Sequence, residues 1–171
     1  MTKLKIPSLF KIITLYLLSS YFFEKFRNET INVLEYPVKK ETNLFIEKEL
    51  IPYLDTFLLE SKYYNYSPAR VFYLDSIQYG VLPDGVAGAT SLSIRRDTLY
   101  GKITISNEYS KDLVNSRQIF YHELGHWLGL EHEQNIIMIE GYDFTDTSWV
   151  NMFGRHWETL TYQYFKSLKA L

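Results

Sequence analysis

The sequence predicts an α+β domain of mixed α/β character. Three observations predict it: apolar residues at helical spacing before residue 63, β-rich and alternating runs between 69 and 106, and further helical stripes after 112. From Asn43 to Tyr63, Leu44, Ile51, Leu54 and Leu58 recur at helical spacing, and Pro52 either kinks this helix or starts its second half. Ala69–Asp75 and Ile77–Val81 are rich in aromatic and β-branched residues and read as strands. A loop follows from Leu82-Pro83-Asp84-Gly85 to Gly88. In Ala89–Arg95, Leu92 and Ile94 alternate with Ser91, Ser93 and Arg95, and Leu99–Ser106 alternates through Ile103 and Ile105, as half-buried strands do; Arg96-Asp97 turn between them. Leu113, Phe120, Leu124, Trp127 and Leu128 then trace one stripe of a helix from about Asp112 to Leu128, stopped by Gly129. A last helix starts among the capping residues Thr145–Ser148 and carries Trp149, Phe153, Trp157, Leu160, Tyr164 and Leu168 to the end of the chain.

The 171 residues suit one domain with a sizeable core, and with 46% hydrophobic and 17% aromatic residues the composition is that of a folded protein. A formal charge of -2 gives no electrostatic drive toward nucleic acid, which removes that class of partner. There is no cysteine, so disulfides, thiolate metal sites and cysteine nucleophiles are excluded, and any metal must be held by histidine and carboxylate. At the amino terminus Lys3, Lys5 and Lys11 precede the apolar run Ile12–Phe23. Residues 1–23 therefore read as a signal peptide or, because the small-residue cleavage pattern around Ser19 and Ser20 is poor, as a retained membrane anchor. Either form implies export, with the protein secreted or held on a membrane with its body outside the cytoplasm. Residues 24–42 are charged, lack a period and contain Pro37, the pattern of a linker, which leaves 43–171 as the functional domain.

The segment that carries chemistry is His122-Glu123-Leu124-Gly125-His126-Trp127-Leu128-Gly129-Leu130-Glu131-His132. Two histidines four apart on a helix lie roughly 40° apart around the axis, so both rings reach one ion from the same face. Glu123 sits about 100° from His122, beside that clamp, where a carboxylate reaches water near the ion without ligating it. Gly129 ends the helix and lets the backbone reverse, so that His132 can return as a third ligand. Three neutral imidazoles leave one tetrahedral position open, which separates a catalytic zinc from a structural one. The fourth histidine, His156, stands beside Arg155 on the last helix and reads as a solvated side chain.

This pattern resembles the metzincin clan of zinc metallopeptidases. The resemblance implies a zincin-like twisted sheet with a covering helix, an active-site helix and a C-terminal helix. It implies one catalytic Zn2+ on His122, His126 and His132, with Glu123 as the catalytic base. Metzincins carry a methionine in a tight turn beneath the metal, and Ile136-Ile137-Met138 is similar, placing Met138 in that role with a spacing most like the matrixin branch. Asp84-Gly85-Val86-Ala87-Gly88 is similar to the glycine-rich loop before the substrate-binding edge strand of matrixins, which implies a Ca2+ role for that loop. Glu133-Gln134 after His132 is more like the astacin branch. At the position of the astacin tyrosine this chain has Glu140, with Tyr142 two residues further on. The resemblance implies a monomeric zinc endopeptidase acting on a protein or peptide strand laid along Ala89–Arg95, its pocket lined near His122 and by residues between Met138 and Thr147. A different class, a catalytically inactive zinc-binding adaptor on the same scaffold, would keep the metal cage without turnover.

Overall fold

The computed structural model describes residues 44–96, 98–141 and 146–171. The predicted leader 1–23, the linker 24–42, Asp97, Tyr142 and the earliest predicted start of the last helix, Thr145, lie outside them. The described chain is a mixed α/β fold built on a four-stranded sheet: β1 (Phe45–Ile46), β2 (Ser76–Gly80), β3 (Gly88–Arg95) and β4 (Thr98–Ser106), in the spatial order β1-β2-β4-β3. β1 runs parallel to β2 and β2 parallel to β4, whereas β3 pairs antiparallel with β4 in a register that sets Thr90 opposite Ile103. β3 is thus an edge strand. Leu99, Ile103 and Ile105 of the central β4 are fully buried, as their alternation predicts. On β3 the pattern weakens: Ile94 is exposed, because an edge strand has a neighbouring strand on one side only.

The helices are α1 (Ile51–Tyr63), α2 (Leu113–Leu128), α3 (Thr147–Arg155) and α4 (Trp157–Leu168). The first is shorter than the predicted 43–63. Leu44 precedes β1, and α1 starts with Pro52 in its first turn, where the missing N–H leaves no helical bond unmade. It buries Tyr53, Leu54 and Phe57 and leaves Ile51 exposed.

The strand expected at Ala69–Asp75 is instead a 3-10 turn over Ala69–Tyr73. Its Val71 and the following Leu74 are fully buried without strand pairing. The carbonyl of Arg70, which a strand would commit to a ladder, accepts the Trp127 indole N–H at 2.9 Å. Of this β-rich segment Val71 and Leu74 are buried while Phe72 is exposed, so its composition reflects anchoring at two positions rather than strand pairing.

The single C-terminal helix expected is two. α3 and α4 meet at His156, whose φ of -113 and ψ of 18 leave the helical region. Apolar spacing runs unbroken across this joint, since Phe153 and Trp157 are both buried, so periodicity could not reveal it. Gly154, a weak helix former two residues earlier, was the local sign.

α2 is the central element. The Asp112 carboxylate caps it by accepting from the N–H groups of Val114 and Asn115 at 3.1 and 3.0 Å. Gly129 ends it in the left-handed conformation, φ 103, and the Leu130 N–H returns to the Gly125 carbonyl at 2.8 Å. Ile119, Phe120, Tyr121, Leu124, Trp127 and Leu128 are all buried, so apolar cover surrounds most of the helix. Leu113, which the predicted stripe included, is exposed at its first turn. β4 makes room for this helix at Gly101, where a Cβ would collide with the Trp127 ring. Among the described residues no helix is long and apolar enough to cross a membrane.

Candidate metal centre

Three pieces of local structure bring the histidines together. α2 holds His122 and His126 one turn apart, and Gly129 reverses the chain. Glu133, at φ 65, then turns it again and donates its N–H to the Met138 carbonyl at 3.0 Å. Asn135 fixes the last of these turns: its side-chain oxygen accepts from the N–H groups of Ile137 and Met138 and caps the 3-10 turn Ile136–Met138. The outcome is a cluster of His122, His126 and His132 whose ligand atoms all lie within 4.8 Å of one another, the one group of three metal-ligating side chains among the described residues.

The second nitrogens of the rings decide its chemistry. Nδ1 of His122 lies 2.8 Å from the Ile137 carbonyl oxygen, and Nδ1 of His126 lies 3.0 Å from that of Leu130. A carbonyl only accepts, so both Nδ1 atoms carry the proton and donate it, which leaves each Nε2 as a bare lone pair in the neutral ring. Those two lone pairs point at each other, Nε2 of His126 lying 3.2 Å from Nε2 of His122, and Nε2 of His132 joins them 3.0 Å from that of His126. At that separation they repel unless a proton or a metal cation lies among them. Burial works against the proton. It lowers His122 to about 4 and holds His126 below its usual value as well. Tetrahedral ligands about 2.0–2.1 Å from zinc stand roughly 3.3–3.4 Å apart, close to the spacing found, so the cage fits a metal ion of that size. Three imidazoles suit copper, nickel and iron as well as zinc.

The third ring is held differently. Nδ1 of His132 faces the Glu140 carboxylate at 3.5 Å, and both side chains are substantially exposed, whereas its two partners are supported by interior carbonyls. Glu140 thus backs a ligand ring.

Beside the cage Glu123 is only 6% exposed, and burial pushes its carboxyl up to about 7, against hydrogen bonds from Thr90 that lower it. Its carboxylate shares with the three histidines a cleft of about 500 Å³ that is also lined by Val86, Gly88, Thr90, Gln118 and Glu140. Met138 is completely buried with its sulfur against Gly125, the residue just before His126. A Cβ at Gly125 would collide with that Sδ. His156 is exposed and takes no part. A larger groove of about 710 Å³ lies between Glu133–Ile139 and α4, and none of the three histidines lines it.

Of the residues singled out in the sequence, the structure gathers His122, His126 and His132 into one cluster, places Glu123 in the same cleft and packs Met138 against Gly125. Sequence reasoning misses Thr90, the supporting carbonyls of Leu130 and Ile137, and the need for Gly125 to have no side chain. The small residue between two histidines is the one signal that could reveal the last of these. The Asp84–Gly88 loop forms a turn, with Gly85 at φ 79, and among the described residues no group of three metal-ligating side chains gathers at it. No family model, no curated protein and no solved structure matches the chain.

Proposed function

We propose that this protein is a zinc-dependent endopeptidase of metzincin type, exported by its amino-terminal segment, that hydrolyses peptide bonds with Glu123 as general base. One observation carries the reading. Two bare Nε2 lone pairs, on His122 and His126, converge with the His132 ring beside a buried carboxylate in an open cleft, which is a ligand set with a base next to it.

A zinc ion bound there supplies Lewis acidity, polarising a carbonyl and lowering the pKa of water from about 15.7 toward 7. The residues of the chain do the rest. The carbonyls of Ile137 and Leu130 lock two rings in the ligating tautomer, and Glu140 steadies the third. Glu123 takes the proton of the attacking water and hands it to the departing amine, so no covalent intermediate on the protein is required. Edge strand β3, at the lip of the cleft, offers main-chain groups to an extended peptide. Met138, packed beneath α2, fits the role of the clan's turn methionine.

The test is a peptidase assay on an unfolded protein substrate with metal analysis of the same sample. One zinc per chain and cleavage abolished by chelation are expected. Glu123→Gln should keep the zinc and the fold while lowering turnover by about 100- to 10,000-fold. Zinc without cleavage would favour the adaptor reading, and an unchanged rate in the variant would remove Glu123 from its role.

A further inference from the structure

We infer that Thr90, on edge strand β3, is a positioning residue that holds one oxygen of the Glu123 carboxylate and leaves the other to handle the proton. The inference rests on the endopeptidase reading for its consequence, though not for its geometry.

The Thr90 hydroxyl lies 2.8 Å from Oε2 of Glu123 and 2.7 Å from the Glu123 backbone carbonyl, close enough to donate to either. A hydroxyl has one proton, so the two acceptors share it, and the side chain is pinned against both ends of the same residue. Threonine is suited to this. Its branched Cβ restricts χ1, and the β3–β4 ladder fixes its place opposite Ile103. Among the described residues, Thr90 is the one donor to that carboxylate.

Gly88 supplies an independent observation. Residues two apart on a strand point to the same face, so Gly88 and Thr90 address α2 together. A Cβ on Gly88 would meet Cγ and Oε1 of Glu123 at 2.7 Å and Ile119 at 2.6 Å. The strand comes this close because position 88 is bare, and the approach brings the Thr90 hydroxyl into range. Oε2 is therefore tied to β3 by the Thr90 hydroxyl, the Thr90 backbone also serves the carboxylate, and Oε1 lies over the glycine. A free carboxylate rotates; one tied at Oε2 presents Oε1 in a fixed direction, and misplacing a base by about 1 Å is enough to cost roughly 100-fold. The strand that would receive substrate also aims the base.

The experiment compares Thr90→Val, which keeps the shape and deletes the hydroxyl, with Thr90→Ser, which restores it; Thr90→Ala replaces the valine variant should valine disturb folding. Two measurements are made on each full-length variant. One is kcat and KM on a cleaved peptide with zinc bound. The other is the carbon-13 NMR resonance of the Glu123 carboxyl in the metal-free protein, identified by its absence in Glu123→Gln. The expected result is a roughly 10- to 100-fold fall in kcat with KM and zinc content unchanged in Thr90→Val, a displaced carboxyl resonance, and recovery of both in Thr90→Ser. An unmoved resonance overturns the inference, and so does a displaced resonance with unchanged kcat, which would make the contact merely structural. If the wild-type protein cleaves nothing, the endopeptidase reading fails, and the NMR comparison alone still decides whether Thr90 holds the carboxylate.

Discussion

Two partly buried polar clusters share helix α2, and they differ in how far their polar atoms are paired. Around Glu60 of α1, every charge-bearing oxygen has its donor: Oε2 accepts the Tyr121 hydroxyl at 2.5 Å and Oε1 accepts the Trp157 indole N–H at 2.9 Å. The Arg117 guanidinium stacks over that indole with its Cζ 3.9 Å from the ring centroid, and Tyr164 donates to the Tyr121 carbonyl at 2.9 Å. One residue along the helix, at His122, acceptor faces acceptor: the bare Nε2 atoms of His122 and His126 stand 3.2 Å apart with no proton of their own between them. At Glu60 both oxygens are satisfied by folding, although Nε of the neighbouring Arg117 is buried without a hydrogen-bond partner. The second cluster leaves the lone pairs of His122 and His126 facing each other, and that distinction marks it as the candidate binding site.

The comparison breaks first on metal. Zinc at about 1,000 times its dissociation constant should stabilise the wild-type protein by about 4 kcal/mol, seen as a rise in Tm. In His126→Ala most of the rise should be lost at the same zinc concentration, because weakening affinity by at least the roughly 100-fold that altering a ligand's supporting partner costs leaves at most about 1.4 kcal/mol of it. A full zinc shift in that variant would mean that the rings do not act as one cage. Without metal, the variant also loses the 3.2 Å lone-pair contact with His122, so its stability should fall by less than an ordinary truncation of a half-buried ring.

A smaller effect sharpens the other side. Glu60→Leu leaves the Tyr121 hydroxyl and the Trp157 N–H without their acceptor, which should cost about 1–3 kcal/mol by denaturant unfolding. The zinc-induced rise in Tm should survive intact. If the variant instead lost zinc binding, the two clusters would be coupled through α2, and the contrast between them would be wrong.

Their legibility in the sequence differs for the same reason. The histidine cage is readable because its ligands lie within eleven residues, on a helix whose geometry is known in advance and beyond a glycine that must turn. The Glu60 cluster is not, because its partners stand 61 and 97 residues away, and no local period announces such a meeting. Thr90, 33 residues from Glu123, is hidden for that cause too: an alternating strand marks Thr90 as facing one side without saying what waits there. In the fold, β3, β4 and α2 are legible because alternation and helical spacing each have a single interpretation. The Ala69–Tyr73 turn and the joint at His156 are not, because burial and periodicity are satisfied by more than one backbone.

The smallest effect concerns proton binding at Glu60. Burial holds its carboxyl above the ordinary value near 4.5, outweighing the hydrogen bonds from Tyr121 and Trp157 that pull it down. The folded protein therefore keeps this proton at pH values where the unfolded chain has released it. Since stability changes with pH in proportion to protons bound unfolded minus protons bound folded, this difference is negative, and the contribution of Glu60 declines as pH rises. It is fully present below the unfolded value, is lost as pH climbs through the raised folded value, and is flat beyond. The lowered pKa values of His122 and His126 act with the opposite sign, losing stability as pH falls, so the two must be separated. Comparing metal-free wild-type protein with Glu60→Gln does so, because the histidine contribution is common to both and cancels. The Tm of the wild type should fall relative to the variant as pH is raised from about 4. Parallel curves would show that the two donors fully offset burial at Glu60, and a relative rise would reverse the sign assigned to it.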